Sequence, residues 1–486
     1  MTLRRAALAA AVLLVSGCTS FSETVAAEDA PSAAAPSDPA PTDDGDGSGD
    51  GDASCPAPRA EPDPDRPVVD LSFRLSEDLR TVTGTETVVF TPDEDTDEMV
   101  FRLVPNSPGG TELGSRLTVD DVRGDDVREG GYEDAGARSP GGLYVLQLDD
   151  ELAAGDPTEV ELDFTLSLGG GDGLQRLGTA DGTAWWASGF PLLAWEPGSG
   201  WARDPFVDVL GETASSPVAD TTVTVDAPED LTVLMTGAQE EPSAPDDGRR
   251  TWTSREPVAR DVSVAAGPFR TATLTSPGGV EITTGVLDGA DVGPGELADW
   301  TSEAVTDLAD RLGAFPYDTL TVPLLPAEGG GIEYPSSILM AGADRSVLEH
   351  EVAHMWFYGM VGDSQFRDPW LDEAFATYAE RVDGQVSQES LDRALAAPGD
   401  VGGAMDEFAG TEEYFDAVYG KGGAALLAAR QAAGEGPFDA ALRCYVQVNA
   451  WTIVTPDDVA AALADLPAAL DVLVAAGALD EGDRPD

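Results

Sequence analysis

The feature that most constrains this chain of 486 residues is its only pair of histidines, His350 and His354, which stand four positions apart. Residues at positions i and i+4 lie on one face of an α-helix, so both imidazoles can point at one metal ion. Glu351 directly follows the first histidine. This pattern is typical of a zinc site in which the glutamate acts on a water molecule beside the metal. The sequence therefore predicts that His350 and His354 bind one Zn²⁺ ion and that Glu351 is a catalytic residue.

A third ligand is expected, because a catalytic zinc ion has three protein ligands and one open position. Glu373 is the candidate, since eighteen residues separate it from His354 and it lies in a second predicted helix, Trp370 to Tyr378. A helix, a loop and a returning helix of this length can bring Glu373 back to the histidines. The alternative is a pair of ordinary surface helices in which the histidine pattern arose by chance.

The residues around these ligands resemble the aminopeptidase N and leukotriene hydrolase family of zinc metallopeptidases. From His350 the chain reads His-Glu-Val-Ala-His-Met-Trp-Phe, and from Trp370 it reads Trp-Leu-Asp-Glu-Ala-Phe-Ala. The family patterns are H-E-x-x-H-x-W-F and W-L-x-E-x-F-A. The resemblance implies a thermolysin-like α+β catalytic domain with a helical C-terminal part, preceded by a β-rich domain. It also implies zinc-dependent hydrolysis of peptides. We expect a short member that lacks the large C-terminal helical domain, with a more open cleft.

Two flanking segments extend the resemblance. Gly329 to Pro335 resembles a family stretch of the form G-x-M-E-N, whose glutamate binds the free α-amino group of the substrate, although Ile332 and Tyr334 depart from the commonest form. By resemblance, Glu333, Gly330 and Gly331 are the substrate-binding residues. The alternative for Glu333 is a glutamate in a glycine-rich surface loop.

The second flanking segment contains Tyr419, Gly420, Lys421 and Gly422, which are similar to the Y-x-K-G segment of the family. The family tyrosine donates a hydrogen bond to the oxyanion of the tetrahedral intermediate, so the resemblance assigns this catalytic role to Tyr419. A neutral phenol suits it, because the ordinary pKa of tyrosine is about 10. Without the resemblance, Tyr419 would be read as a core or rim residue.

Glu380 lies two helical turns beyond Glu373 on the same helix face. We expect its carboxylate to contact the ring nitrogen of a ligand histidine that does not face the metal, as such carboxylates often do. A solvated glutamate is an equally good interpretation.

The amino terminus is predicted to be a targeting segment over residues 1–17. Arg4 and Arg5 precede an apolar run from Ala6 to Val15, which is too short to span a bilayer and fits the core of a signal peptide. Val-Ser-Gly-Cys, ending at Cys18, resembles the cleavage box of bacterial lipoproteins. The sequence thus predicts lipidation at Cys18 and anchoring at the outer face of the cytoplasmic membrane. A plain secretory signal is the alternative.

Residues 18–66 are rich in Ala, Pro, Asp, Ser and Gly. Such a segment buries too little apolar surface to offset its ordering entropy, so it is predicted to be a disordered tether. Cys55 and Cys444 are the other two cysteines of the chain. In an oxidising compartment they are expected to pair, and a disulfide between them is our hypothesis.

Apolar and polar residues alternate in many short runs from residue 67 to about 272, as they do in half-buried strands; Val69 to Leu75 is an example. This region is predicted to be an all-β sandwich or saddle domain. Residues 273–486 are predicted to form the zinc-binding catalytic domain with C-terminal helices. The fold class is therefore α+β, with more than one domain.

Charge composition limits the partners. The chain has 27 Lys plus Arg against 90 Asp plus Glu, a formal net charge of −63, which repels nucleic acid. We expect peptide substrates and no nucleic-acid partner. The favoured function is a zinc aminopeptidase outside the cytoplasm. A metalloendopeptidase with an open cleft remains open, as does a non-catalytic envelope lipoprotein with a structural zinc site.

Overall fold

The computed structural model describes residues 55, 57–171, 173, 175–211, 214–384 and 386–484. The predicted signal peptide, Cys18 and most of the predicted tether lie outside these residues. Within the described part of the chain, no helix has the length and apolar character needed to cross a bilayer.

The first half of the described chain is built of strands. The alternation that the sequence shows is present in the structure: in the first strand the side chains of Leu71, Phe73 and Leu75 are buried and those between them are exposed. The strands are β1 (Val68–Leu75), β2 (Thr81–Phe90), β3 (Thr96–Arg102), β4 (Arg116–Arg123), β5 (Val127–Glu133), β6 (Leu143–Leu152), β7 (Thr158–Ser167), β8 (Leu177–Ala180), β9 (Thr183–Ala187), β10 (Leu192–Leu193), β11 (Trp195–Glu196), β12 (Gly200–Trp201), β13 (Ala219–Pro228), β14 (Thr232–Met235), β15 (Ala238–Gln239), β16 (Arg249–Ala259) and β17 (Ser263–Gly267). One short helix, α1 (Pro108–Glu112), follows a 3₁₀ turn at Val104–Asn106.

These strands form three larger sheets and one small ribbon. The order in the seven-stranded sheet is β15-β16-β13-β1-β2-β7-β4, and the two four-stranded sheets have the orders β10-β3-β6-β5 and β14-β17-β9-β8; β11 pairs with β12. β1 runs parallel to β13 with Val68 opposite Asp220, and antiparallel to β2 with Val68 opposite Val89. The larger sheets share one hydrophobic cluster, here called the β-core, which includes Phe73, Val82, Met99, Leu162, Trp186 and Val264. This is the layered packing expected of a sandwich.

The second half mixes a sheet with helices. Its strands are β18 (Arg270–Thr275), β19 (Glu281–Val286), β20 (Thr319–Pro323), β21 (Gly331–Tyr334), β22 (Ser337–Met340), β23 (Gly362–Asp363) and β24 (Ile453–Val454). Its helices are α2 (Pro294–Leu312), α3 (Arg345–Ala353), α4 (Trp370–Arg381), α5 (Gln388–Leu395), α6 (Thr411–Tyr414), a π-helix at Phe415–Gly422, α7 (Gly423–Ala433), α8 (Glu435–Val448), α9 (Pro456–Ala462) and α10 (Pro467–Ala476), followed by a 3₁₀ turn at Glu481–Asp483.

The five-stranded sheet of this half has the order β18-β19-β20-β22-β21, so β21 is its edge strand. α3 packs against α4 and against β21, which brings the sheet edge next to both helices. A second large hydrophobic cluster joins this sheet to the helices. The α+β fold class predicted from the sequence is therefore confirmed, whereas the exact domain limits stay predictions.

The end of the predicted tether needs a correction. Residues 57–66 do not continue it but lie against the folded part: the amide of Ala60 donates to the carbonyl of Gln447 at 2.9 Å, and Nε of Arg66 donates to the carbonyl of Pro257 at 2.8 Å. Both contacts join residues far apart in the sequence, which is why composition alone placed this stretch in the tether.

The hypothesised disulfide is present in the structure. Cys55 bonds to Cys444, which lies in α8, across a sequence separation of 389 residues. The bond fixes the start of the described chain to the C-terminal helices.

Candidate metal centre

α3 positions the two histidines. Its N-cap is Asp344, whose carboxylate accepts hydrogen bonds from the backbone amides of Ser346 and Val347 at 2.9 and 3.4 Å. Such a cap satisfies amides that lack a partner within the helix and fixes where the helix begins. His350 and His354 then occur at the other end of α3, with ring centroids 4.7 Å apart.

α4 brings Glu373 to this pair. Its Oε2 lies 3.3 Å from Nε2 of His350 and 3.4 Å from Nε2 of His354. The three side chains are 13%, 1% and 6% exposed for His350, His354 and Glu373, so solvent screens them little. We call these three residues the metal centre.

The donor set of the metal centre fits a zinc ion. Two imidazole nitrogens and one carboxylate oxygen converge, and their ligand atoms lie within 4.8 Å of one another. Three protein ligands leave one position open on a tetrahedral zinc ion, as in catalytic sites. A second group that could hold a metal, Glu333, His354 and Asp372, shares one histidine with the first. We favour the metal centre because both Nε2 atoms face the same Glu373 oxygen.

Each histidine ring also faces a carboxylate on its other nitrogen. Nδ1 of His354 forms a hydrogen bond with Oδ1 of Asp372, and Nδ1 of His350 lies 3.6 Å from Oε2 of Glu380. Contacts of this kind fix the ring orientation and leave Nε2 for a metal. Glu380 thus lies where the sequence placed it. Asp372 was missed, although its position directly before Glu373 in α4 was a signal that could have found it.

Glu351 lies close to the metal centre, because the charges of His350, His354 and Glu373 all act on the pKa of its carboxyl. Its side chain is buried, and within the described chain its Oε2 has no hydrogen-bond partner. Burial raises the pKa of this carboxyl, and His350 and His354 partly offset the rise. A buried carboxylate with a free oxygen next to the metal ligands is available to accept a proton.

Gly331 allows the sheet edge to approach Glu351. A Cβ atom at this glycine would lie 2.4 Å from Cγ of Glu351, so a larger residue would displace the carboxylate. Gly330 has a φ of +87°, in the left-handed region that glycine adopts without strain. The structure therefore places both predicted glycines at the edge of the site.

Glu333 lies two residues further along β21, opposite Ile338 of β22. It is 5% exposed, and burial raises its pKa to about 8, with an opposing effect from His354. The predicted amine-binding glutamate is thus a buried side chain close to the metal centre, and the surface-loop interpretation is wrong.

Tyr419 approaches the metal centre from the π-helix Phe415–Gly422. Its ring stacks on that of His350, with centroids 5.9 Å apart and an angle of 13° between the planes. Burial raises the pKa of its hydroxyl well above the ordinary value, and the nearby Glu373 acts in the same direction. The phenol therefore stays neutral and can donate a hydrogen bond. Single π-helical segments inside helical regions often occur at functional sites.

The β-rich region contributes a residue that the sequence did not single out. Arg176, just before β8, donates from Nη1 to the hydroxyl of Tyr334 at 2.6 Å, directly beside Glu333. No pattern in the sequence joins Arg176 to Tyr334, because 158 positions separate them.

Fold and site together place a candidate metal centre between two helices, α3 and α4, and the sheet edge β21. Residues 335–475 match the peptidase family M1 domain, which confirms the resemblance noted in the sequence.

Relatives of known name agree with this family. The chain is 25% identical over 225 residues to leukotriene A-4 hydrolase of Xenopus laevis. The match covers 37% of this chain and 36% of the relative. It is 26% identical over 210 residues to aminopeptidase N of Bos taurus, covering 38% of this chain and 22% of that protein. The matched part is thus well under half of these relatives.

Solved structures share the fold over nearly the whole described chain. The M1 zinc metallopeptidase from Deinococcus radiodurans has a TM-score of 0.64 and 20% sequence identity, and the match covers 88% of this chain and 97% of that one. Another structure of that protein, described as bound to a Tyr-Ser-Ala substrate, has a TM-score of 0.63, 20% identity, and coverage of 88% and 98%.

Proposed function

We propose that this chain is a zinc-dependent aminopeptidase that removes N-terminal residues from peptides outside the cytoplasm. The observation that carries the proposal is the convergence of Nε2 of His350 and Nε2 of His354 on one oxygen of Glu373. Glu351, next to these ligands in the sequence, and Tyr419, whose ring stacks on that of His350, supply the acid–base group and the hydrogen-bond donor that hydrolysis of an amide bond requires.

His350, His354 and Glu373 would hold the zinc ion, which when bound lowers the pKa of water and polarises a carbonyl group. Glu351 accepts the proton of the attacking water at Oε2, which has no hydrogen-bond partner among the described residues. The same carboxyl then gives this proton to the leaving amine, so one side chain acts first as base and then as acid.

Tyr419 supports the step in which charge develops on the substrate. Its neutral hydroxyl donates a hydrogen bond to the carbonyl oxygen as this oxygen becomes negative. The stacking of Tyr419 on His350 holds the phenol on the same side as the metal ligands.

Glu333 supports cleavage at the first residue. A carboxylate at the edge strand β21 can pair with the positive α-amino group of a peptide and fix it one residue away from the reacting bond. β21, which pairs with β22, is the sheet edge at which an extended peptide can lie. One relative, from Bos taurus, is named aminopeptidase N, which supports cleavage at the first residue.

The test uses the zinc-loaded chain and matched pairs of amino-acid amides with a free or an acetylated amine. Hydrolysis of the free-amine substrates alone is the expected result, because acetylation removes the charge that Glu333 recognises. Equal rates on both members of each pair would identify an endopeptidase instead. A zinc-loaded chain that cleaves neither these amides nor longer peptides would favour the non-catalytic alternative.

The proposed location rests on the amino-terminal sequence and on the disulfide. Lipidation of Cys18 would attach the chain to the outer face of the membrane, and the Cys55–Cys444 bond suits an oxidising compartment. Cys18→Ser should move the protein from the membrane fraction to the medium, as followed by fractionation of expressing cells. Retention of that variant in the membrane would contradict the lipid anchor.

A further inference from the structure

A chain of buried hydrogen bonds leads from the metal centre towards the β-rich region. It begins at His354, whose Nδ1 contacts Oδ1 of Asp372. Oδ2 of the same carboxylate accepts a hydrogen bond at 2.9 Å from Nε2 of Gln365, and this amide nitrogen also donates to Oδ1 of Asp363 at 2.8 Å. All four side chains are at most 4% exposed.

The amide of Gln365 is the donor between two acceptors. Ionised carboxylates only accept hydrogen bonds, whereas a glutamine NH₂ group has two hydrogens to donate. One hydrogen serves Asp372 and the other serves Asp363. Without them, a buried carboxylate oxygen would lose its partner, which costs about 1–3 kcal/mol or more for a charged group.

The backbone from Asp363 to Gln365 is held by residues that are distant in sequence. β23 pairs with β24, with Asp363 opposite Val454. Ser215, which precedes β13 in the β-rich region, accepts a hydrogen bond from the amide of Gln365 at 3.2 Å and donates to the carbonyl of Asp363 at 3.4 Å. The backbone position from which the Gln365 side chain extends is therefore fixed.

Packing alone does not explain a glutamine at this position. Within the described chain, Oε1 of Gln365 has no hydrogen-bond partner, although the side chain is 1% exposed. An unpartnered buried oxygen destabilises the folded state relative to an apolar side chain of similar size. Gln365 therefore lowers the stability of the fold, which indicates that this residue has a role other than packing.

We propose that Gln365 is a positioning residue of the metal centre. It holds the carboxylate of Asp372 in place, and Asp372 in turn holds the imidazole of His354 with Nε2 facing Glu373. The proposal depends on the proposed function only in that zinc binds at His350, His354 and Glu373. Partners behind a metal ligand typically change metal affinity by about 10–100-fold when they are removed.

The experiment compares Gln365→Met, which keeps the length of the side chain and removes both donors, with the wild type. Gln239→Met is the matched control, because Gln239 also makes two hydrogen bonds, to Val233 and Met235, but lies in the β-rich region. Zinc dissociation constants are measured by competition with a chromophoric chelator, and the cobalt-substituted proteins are compared by visible absorption. Melting temperatures of the metal-free proteins report stability.

We expect Gln365→Met to weaken zinc binding by about tenfold or more and to change the cobalt spectrum. Gln239→Met should leave both unchanged even if it lowers the melting temperature. Gln365→Asn keeps an amide but is shorter by one methylene group, so it should give a smaller loss; it also serves if the Met variant does not fold.

Zinc affinity within about twofold of the wild type in both Gln365 variants, with an unchanged cobalt spectrum, would overturn the positioning role even if stability fell. If wild-type protein itself bound no zinc, the proposed function would fail and this inference with it. The two failures are thus distinguishable by the wild-type measurement alone.

Discussion

The β-core and the metal centre bury side chains of opposite character. The β-core consists of aliphatic and aromatic groups such as Phe73 and Trp186, shared by three sheets. Around the metal centre, five acidic residues are buried: Glu333, Glu351, Asp363, Asp372 and Glu373. Burial of apolar surface stabilises the fold, whereas burial of charges costs free energy unless each is paired.

The difference shows that stability and chemistry depend on different regions of the molecule. The β-core stabilises the fold, whereas the buried carboxylates around the metal centre lower stability but are positioned for chemistry. Substitutions in the first region should therefore change the free energy of unfolding but not zinc affinity. Substitutions near the metal centre should change zinc affinity or the reaction rate, and those that remove the partner of a buried carboxylate should lower stability as well.

The largest expected effect is on the rate of hydrolysis. Glu351→Gln removes the group that takes up and returns the proton, while the three metal ligands stay intact. We expect kcat to fall by about 10²–10⁴-fold, the range that a positioned acid or base contributes. Turnover of a free-amine amide and the zinc content per chain are the measurements. A variant with full zinc content that retained wild-type kcat would remove Glu351 from the mechanism.

The largest expected effect on stability is in the β-core. Phe73 is 3% exposed and makes edge contacts with Phe164 and Trp186, at centroid distances of 6.0 and 5.7 Å. Phe73→Ala should lower the free energy of unfolding by about 3–5 kcal/mol, as measured by denaturant titration.

The zinc dissociation constant of Phe73→Ala serves as the control. It should equal that of the wild type under conditions in which both proteins are folded. A large loss of zinc affinity would show that the two regions are not independent, which would break the comparison.

The smallest effect per step of the measurement, here one pH unit, concerns a buried carboxyl group within the β-rich region. Glu86 in β2 is 1% exposed, its Oε2 has no partner among the described residues, and burial raises its pKa well above the ordinary value. The folded state therefore keeps a proton that the unfolded state loses above pH 4–5. Stability should fall as pH rises from there, by up to about 1.4 kcal/mol per pH unit, until the folded pKa is reached.

Glu86→Gln cannot titrate, so its stability should fall less steeply over the same pH range. Denaturant unfolding of both proteins from pH 5 to pH 8 measures the two slopes. Identical slopes would mean that Glu86 is ionised in the folded protein.

Much of the fold and the site could be predicted because their signals are local. Alternation within single strands such as β1 reveals which face is buried. The spacing of His350 and His354 on one helix, the glutamate at 373 and the resemblance of the flanking residues together indicate the metal ligands. The N-cap of α3 is also a local signal, because Asp344 is a residue type that favours this position.

What the sequence did not reveal depends on contacts between distant segments. Ala60 reaches Gln447, and the pairing of β23 with β24 places Gln365 behind the metal centre. Neither contact leaves a periodic or compositional signal. The role of Asp372 was hidden for another reason, because its neighbour Glu373 carried the recognisable pattern.

The most direct test of the central claim is anomalous diffraction at the zinc absorption edge from crystals of the zinc-loaded protein. The account predicts one strong peak, in contact with Nε2 of His350, Nε2 of His354 and the carboxylate of Glu373. A peak between Glu333 and Asp372 instead, or no peak near either histidine, would contradict it.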